Sequence, residues 1–427
     1  MEFKLEPIAV NYKNIKFYKT AKLPRRQNLF WMLLITGLSK FMLIGKKYKI
    51  TKINMEGLKG PYFMISNHMQ FIDFELAAIA TFPRRVHNVV SIDGFYKRPW
   101  LLEAIGCIAT RKFTNDLHLV KSINHVLKRD VIGLYPEARY SPAGISSFIP
   151  ESLGKLVKMN KVPLVVILHR GNYLYTPFWN FRSKRKVPFH TTIKQVLTKE
   201  DIQNLSVEEI NEVIRKEMTY DEYQYQRENN ILIKQKDRAE GLHRILYQCP
   251  HCHTESKMNS KGTKIFCEEC GKEWEFEENG SLRAIDGNTK FDNVPDWFRW
   301  EREEVKKQIY SGNYHFMDDV EVYSLPNVNK YTNLGKAKVS HDPENGFIIE
   351  GFYNEKTYRI IRHPIQSNSL HVEYDYFRIK RDDCFILGTE NDNFFCYPSK
   401  PNVITKLAFA TEIIYQKKYE ELQKNKL

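Results

Sequence analysis

Residues 48–180 alternate short apolar runs with segments of helical spacing. Tyr62-Phe63-Met64-Ile65, Val131-Ile132-Gly133-Leu134-Tyr135 and residues 162–168 (VPLVVIL) are apolar without alternation, as strands covered on both faces are. Residues 86–92 are rich in valine. Helix-like segments lie between, at 71–80, 116–128 and 153–160. Strands that alternate with helices predict an α/β domain with a mixed, largely parallel sheet and flanking helices. Ser206-Val207-Glu208-Glu209 has capping-box spacing, and Ile210, Val213, Ile214 and Met218 follow at helical spacing, which predicts a packing helix. An aromatic helix is expected over 292–312, with Trp297, Phe298 and Trp300 read as core. From about residue 318 short strand candidates dominate, at 320–324, 336–340, 347–352, 357–362, 370–380, 384–388 and 393–397. A closing helix is expected over 405–422. The expected units are 1–47, 48–200, 201–248, 249–290 and 291–427.

Charge sharpens the picture at the N-terminus. The 427-residue chain carries a formal net charge of +14, and residues 1–60 hold 13 Lys or Arg against 3 Asp or Glu. The most apolar stretch, residues 29–45 (LFWMLLITGLSKFMLIG), lies inside that basic block, between Arg25-Arg26 and Lys46-Lys47. It is too short for a spanning helix, which needs about 20 apolar residues. An apolar helix with basic flanks suits an interfacial position on an anionic membrane. The charge flanks a helix and forms no aromatic-basic platform, which argues against a nucleic-acid-binding protein.

Four of the seven cysteines form a pattern. Cys249 and Cys252, then Cys267 and Cys270, are two C-x2-C pairs separated by 14 residues. Four thiolates at this spacing suit a structural Zn2+ in a zinc ribbon, with a closed shell. His251 and His253 are alternative ligands. The other three, Cys107, Cys384 and Cys396, are scattered. With no secretion signal, this usage predicts a reducing, cytosolic compartment.

Candidate chemistry starts at Ile65-Ser66-Asn67-His68-Met69-Gln70-Phe71-Ile72-Asp73. An apolar strand ends there and a helix begins near Phe71. A carboxylate in the first helical turn can fix the imidazole tautomer and leave the other nitrogen as a base. Three further stretches follow in order: Gly106-Cys107-Ile108-Ala109-Thr110-Arg111, Tyr135-Pro136-Glu137-Ala138-Arg139-Tyr140-Ser141, and Val162-Pro163-Leu164-Val165-Val166. This set resembles the four blocks of the glycerolipid acyltransferases, the lysophosphatidic acid acyltransferase family. The resemblance covers about residues 29–180. Its first block is N-H-x4-D, here Asn67, His68 and Asp73. Its second ends in an arginine, here Arg111. Its third is F-P-E-G-T-R-S, and its fourth a V-P-V-like strand. The third block departs here. Ala138 follows Glu137 in place of Gly, Arg139 stands one residue early, and Tyr140 fills the arginine slot. Ser141 keeps its place.

The resemblance implies that His68, oriented by Asp73, takes the proton of an acceptor hydroxyl. The oxygen then attacks the thioester of an acyl-CoA or acyl carrier protein. Asn67, Arg111, Glu137, Arg139 and Ser141 would bind substrate, the arginines holding the acceptor phosphate. Cys107 is not the nucleophile and reads as a small buried hydrophobe. The implied acceptor is lysophosphatidic-acid-like, giving phosphatidic acid on the cytoplasmic face of a membrane, with peripheral or monotopic attachment. Another lysophospholipid, glycerol 3-phosphate, or a catalytically silent lipid-binding scaffold are the alternatives. The part after about residue 200 is not explained by the resemblance. Its seven strands and terminal helix are similar to pleckstrin-homology-like domains, and it is open to an unknown protein partner.

Overall fold

The structure is a computed structural model that describes residues 5–424 other than Ala21 and Asn115. The first four residues of the basic region and the last three of the C-terminal unit therefore lie outside the described residues.

The first sheet has seven strands: β1 (Tyr48–Ile53), β2 (Phe63–Ser66), β3 (Val86–Ser91), β4 (Ile108–Thr110), β5 (Val131–Leu134), β6 (Leu164–Arg170) and β7 (Phe189–Leu197), in the order β1-β7-β6-β2-β5-β3-β4. Neighbours from β6 through β4 are parallel, and β7 runs antiparallel to β6 with β1 parallel to it. The sheet is thus mixed, as expected. Its central strands are apolar on both faces. Phe63, Ile65, Ile132, Leu164 and Val166 face one core, and Met64, Val131, Val165 and Ile167 the other. Each such side chain contributes about 1.5–3 kcal/mol by leaving water.

Helices cover both faces: α1 (Leu29–Met42), α2 (Ile72–Thr81), α3 (Pro99–Ala104), α4 (Leu117–Val126), α5 (Ser152–Asn160), α6 (Asn172–Tyr175), α7 (Lys199–Asn204), α8 (Val207–Glu217) and α9 (Glu222–Glu228). Ala77 and Ala80 of α2 pack on one face of the sheet. Ile123, Leu153, Val157, Ile210 and Ile214 of α4, α5 and α8 pack on the other. The expected capping box at α8 is formed: Ser206 Oγ accepts from Glu209 N at 3.1 Å, and Glu209 Oε2 accepts from Ser206 N at 2.7 Å.

The cysteine segment forms a four-stranded antiparallel sheet of β8 (Met258–Lys261), β9 (Lys264–Cys267), β10 (Glu273–Phe276) and β11 (Leu282–Ala284). Helix α10 (Val294–Tyr310) follows. Trp297 is fully buried against Trp274, with ring centroids 4.9 Å apart, and donates from Nε1 to Gln248 O at 2.9 Å. The aromatic cluster is core.

A second seven-stranded sheet, antiparallel throughout, holds β12 (Phe316–Ser324), β13 (Thr332–Asp342), β14 (Gly346–Tyr353), β15 (Lys356–Arg362), β16 (His371–Glu373), β17 (Cys384–Gly388) and β18 (Asn393–Pro398). Its order is β15-β14-β13-β12-β18-β17-β16, and α11 (Ile404–Lys424) closes the chain. The expected strand over 370–380 is shortened to three residues. Beyond Glu373 the chain turns away. Tyr374 and Tyr376 are buried by side-chain packing, and Tyr374 OH lies 2.6 Å from Thr405 Oγ1. Alternation there marks turn residues that bury in the core, not ladder pairing. One continuous apolar core runs from Met69 and Trp179 through Trp274 and Trp297 to Phe347 and Leu407. The first sheet is therefore anchored to everything that follows it.

Candidate functional site

Strand β2 ends at Ser66 and α2 begins at Ile72. Asn67 extends the β2–β6 pairing with its side chain: Nδ2 donates to His169 O at 2.9 Å and Oδ1 accepts from His169 N at 2.8 Å. That pairing pins the turn in which His68 sits. Asp73 is fully buried. Its Oδ2 accepts from Met69 N at 2.6 Å, Gln70 N at 2.9 Å and His68 Nδ1 at 3.1 Å, while Oδ1 accepts from Asn172 Nδ2 at 2.6 Å. An ionised carboxylate can only accept, so His68 carries its proton on Nδ1. Nε2 has no protein partner among the described residues, and 22 % of the His68 side chain is exposed.

Electrostatics keep this base free. Burial pushes the His68 imidazole below its ordinary value, partly offset by its hydrogen bond to Asp73. Burial also pushes the Asp73 carboxyl up, but the His68 hydrogen bond and the neighbouring His169 and His68 rings outweigh it and hold Asp73 below its ordinary value. The pair at rest is a neutral imidazole beside a carboxylate. Tyr135 stacks on the His68 ring at 4.0 Å and Tyr140 lies at 4.3 Å.

His68 opens onto a cavity of about 660 Å³, within the usual size for a ligand site. Its wall is mainly apolar and takes Trp31, Leu34 and Leu38 from α1, Phe71 and Phe74 from α2, and Leu153 from α5. Cys107 also lines it, yet burial pushes that thiol up to about 12. A thiol that stays protonated is a poor nucleophile.

The third-block loop divides its residues between two sides. Pro136, Ala138 and Tyr140 line the cavity, whereas Glu137, Arg139 and Ser141 are not in its wall. Ala138 adopts a left-handed φ of 54°, a conformation glycine takes more easily. Tyr220 OH donates to the Glu137 carboxylate at 2.8 and 2.9 Å, and burial pushes Glu137 up to about 7 against the Tyr220, Ser147 and Arg139 contacts. Arg139 is buried and donates to Glu412 Oε1 of α11 at 2.5 Å. Ser141 Oγ donates to Ile145 O at 2.9 Å, and its N–H donates to His68 O at 2.8 Å, which ties the loop to the histidine. Arg111 does line the cavity, but its donors go to Glu390 O at 3.0 Å, Asn391 O at 3.1 Å and Tyr18 O at 3.3 Å. The structure thus brings Asn67, His68 and Asp73 together. It places Arg111 at the rim of the same space and directs Glu137, Arg139 and Ser141 into supporting contacts.

Several residues at this site carry no local signal in the sequence. Asn172, which holds Asp73, follows Gly171 after β6 and looks like an ordinary helix start. Glu373 and Arg378 reach the cavity from β16 and the turn after it, where their alternating context reads as plain strand. Lys112 lies beside Arg111 and is the one whose ammonium faces a side chain, with Nζ 3.0 Å from His371 Nε2.

The four Sγ atoms of Cys249, Cys252, Cys267 and Cys270 lie within 4.8 Å of one another, with 3.8 Å between residues 249 and 270 and 3.7 Å between 252 and 267. A tetrahedral ion with M–S of about 2.3 Å has S···S edges of about 3.8 Å, so this group could hold a metal ion. His251 and His253 are outside the group, and the His253 ring packs on Trp300 at 5.5 Å.

No protein-family model and no curated protein matches this chain. Among solved structures, the 1-acyl-sn-glycerophosphate (LPA) acyltransferase PlsC from Thermotoga maritima matches with 14% identity over 43% of this chain and 77% of that chain, at a TM-score of 0.36. A score that low adds no weight to the geometry above.

Proposed function

We propose that the protein is an O-acyltransferase that moves a fatty acyl group from a thioester, acyl-CoA or acyl carrier protein, to the hydroxyl of a lysophosphatidic-acid-like acceptor. The observation that carries this reading is the His68–Asp73 pair at one wall of a large, mainly apolar cavity. His68 Nε2 takes the hydroxyl proton as the oxygen attacks the thioester carbonyl. Asp73 stabilises the imidazolium that forms, and the proton then passes to the leaving thiolate. Such base catalysis contributes about 10²–10⁴-fold. The four-cysteine group takes a structural Zn2+, remote from this chemistry, because a closed thiolate shell offers no open position.

The apolar wall leads to a membrane in this reading. Helix α1 exposes Phe30, Leu33, Leu38 and Phe41. No helix among the described residues is long and apolar enough to cross a membrane. A basic, apolar helix against the cytoplasmic face would hold the enzyme peripherally, where acceptor and product reside. The strand number and closing helix behind the pleckstrin-homology-like expectation are both present, and that assignment belongs to the same proposal.

The test is acyl transfer from labelled acyl-CoA and acyl carrier protein to a lysophospholipid panel and glycerol 3-phosphate in micelles, with His68→Ala alongside. Product that disappears in the variant supports the reading. No product from the intact wild type with any acceptor refutes it and leaves the lipid-binding scaffold.

A further inference from the structure

Four cations line the cavity that holds His68: Arg98, Arg111, Lys112 and Arg378. The donors of Arg111 are taken by three backbone carbonyls. Arg98 is exposed and donates to Gly94 O at 3.3 Å. Arg139 is outside the wall and neutralised by Glu412. The two arginines expected to grip an acceptor are therefore both committed to the C-terminal part of the chain or to backbone.

Lys112 and Arg378 remain. Lys112 meets His371 Nε2, and that histidine's nitrogen also lies 2.9 Å from Glu373 Oε1. Arg378 is steered by one bond, from Nη1 to Asp93 O at 2.5 Å, and keeps further guanidinium donors. Asp93 lines the same space, and its Oδ1 is buried without a hydrogen-bond partner. A buried carboxylate oxygen left without a donor costs free energy unless a ligand supplies one. Asp93 and Glu373 balance the two cations while no ligand is bound. Two cations converging beside an unsatisfied acceptor suit an anion that brings a donor with it.

Resting on the acyltransferase reading, we propose that the C-terminal sheet builds the acceptor-headgroup end of this site: Lys112 and Arg378 bind the acceptor's phosphate, and Asp93 receives a hydroxyl or amine donor of the same headgroup. Arg378, more than 300 residues from His68 in sequence, is then a specificity residue for the reaction. The long C-terminal part is half of the acceptor site.

The test is calorimetric titration of the full-length protein with glycerol 3-phosphate, with a short-chain lysophosphatidic acid below its micelle concentration, and with coenzyme A. The proteins are wild type, His68→Ala, Lys112→Gln, Arg378→Gln and Arg378→Lys. The expected result is that Arg378→Gln and Lys112→Gln each weaken both acceptor ligands at least tenfold. Arg378→Lys recovers part of the loss, and His68→Ala and coenzyme A binding change less than threefold. Wild-type binding of neither acceptor ligand overturns the proposal. So does an Arg378→Gln protein of unchanged melting temperature that binds them normally, or one that loses coenzyme A instead, which would assign the pair to the donor. Loss of the lipid arm alone places the pair on the lipid path and also overturns it. These readouts do not need turnover, so an enzyme that transfers no acyl group defeats the acyltransferase reading separately.

Discussion

Replacing Asp73 with asparagine removes one charge from the site with little change of shape. The carboxylate has four donors: His68 Nδ1, Met69 N and Gln70 N on one oxygen, and Asn172 Nδ2 on the other. The carbonyl oxygen of the substituted side chain can keep the first three. Its amide then faces Asn172, whose own Oδ1 is buried and unpartnered. A flip of the Asn172 amide turns that orphan into the acceptor, so every group stays paired. The turn survives and the His68 tautomer is kept, but the imidazolium formed during transfer loses its counter-charge. Unit charges about 4 Å apart at an effective dielectric of about 20 interact by about 4 kcal/mol. That corresponds to roughly a thousandfold in rate at about 1.4 kcal/mol per decade.

We therefore expect Asp73→Asn to lower kcat about 10²–10³-fold while the melting temperature moves by less than about 5 °C, the fold losing only charge assistance on paired bonds. Its pH dependence has a definite sign. Asp73 raises the His68 pKa, in opposition to burial. Without the carboxylate, His68 titrates at lower pH still, and the acid limb of kcat/KM for acyl transfer moves down. The same shift should appear in a histidine-selective NMR titration, which needs no turnover. A variant within tenfold of wild type, or an acid limb that moves up, would refute the reasoning that this pair is the base.

Four further outcomes follow from other parts of the chain. Cys267→Ser should abolish one equivalent of bound zinc, read by metal analysis, and lower the melting temperature, because Cys267 is buried in the shared core; retention of zinc would refute the tetrathiolate site. Glu412→Ala strands Arg139, which is 5 % exposed, and should cost about 3–5 kcal/mol in urea unfolding, partly restored by Arg139→Met in the double variant. Burial pushes His243 down to about 4; a histidine lowered in the fold supports stability above pH 6.5 and withdraws it as pH falls toward 4, by up to about 3 kcal/mol. His243→Gln should flatten that acid loss relative to wild type, even though Glu222 and Glu137, pushed up to about 8 and about 7, act with the opposite sign as pH rises from about 4.5; parallel curves would refute it. Phe41, 70 % exposed on α1, should matter on membranes: Phe41→Glu is expected to weaken sedimentation with anionic vesicles about tenfold or more, since burying one phenylalanine gives about 1.5–3 kcal/mol.

What can be read from the sequence is whatever local chemistry decides. β2, β5 and β6 are apolar on both faces, so their runs announce buried strands. The spacing of His68 and Asp73 is a turn that closes on itself through Met69 and Gln70, and two C-x2-C pairs need only short knuckles. β1 escapes such a reading because YKITKI sits at the sheet edge with four of its six positions exposed, and an edge strand needs no apolar face. The direction of Arg139 cannot be read because it depends on the left-handed turn at Ala138 and on a carboxylate 273 residues away. Arg378 and Glu373 are hidden for the opposite reason: a clear strand pattern over 370–380 conceals a turn that faces the cavity.

Those misses share a cause that bears on how the site works. Three residues expected to act with His68, or adjacent to ones that were, are tied to the C-terminal part: Arg111 to Glu390 and Asn391, Lys112 to His371, and Arg139 to Glu412. Each tie closes more than 250 residues of chain, and each falls on a loop that leaves the C-terminal end of a strand of the first sheet. Such loops are where α/β sheets place their ligands, and loops are otherwise the least ordered parts of a fold. The C-terminal sheet and α11 do for these loops what a bound substrate does elsewhere, holding them in one arrangement before any ligand arrives. A site preorganised in this way avoids part of the ordering cost of binding, and it depends on a core that runs unbroken from Met69 to Leu407. The histidine and its carboxylate are set by one short stretch of sequence, whereas the surface they act upon is set by the whole chain.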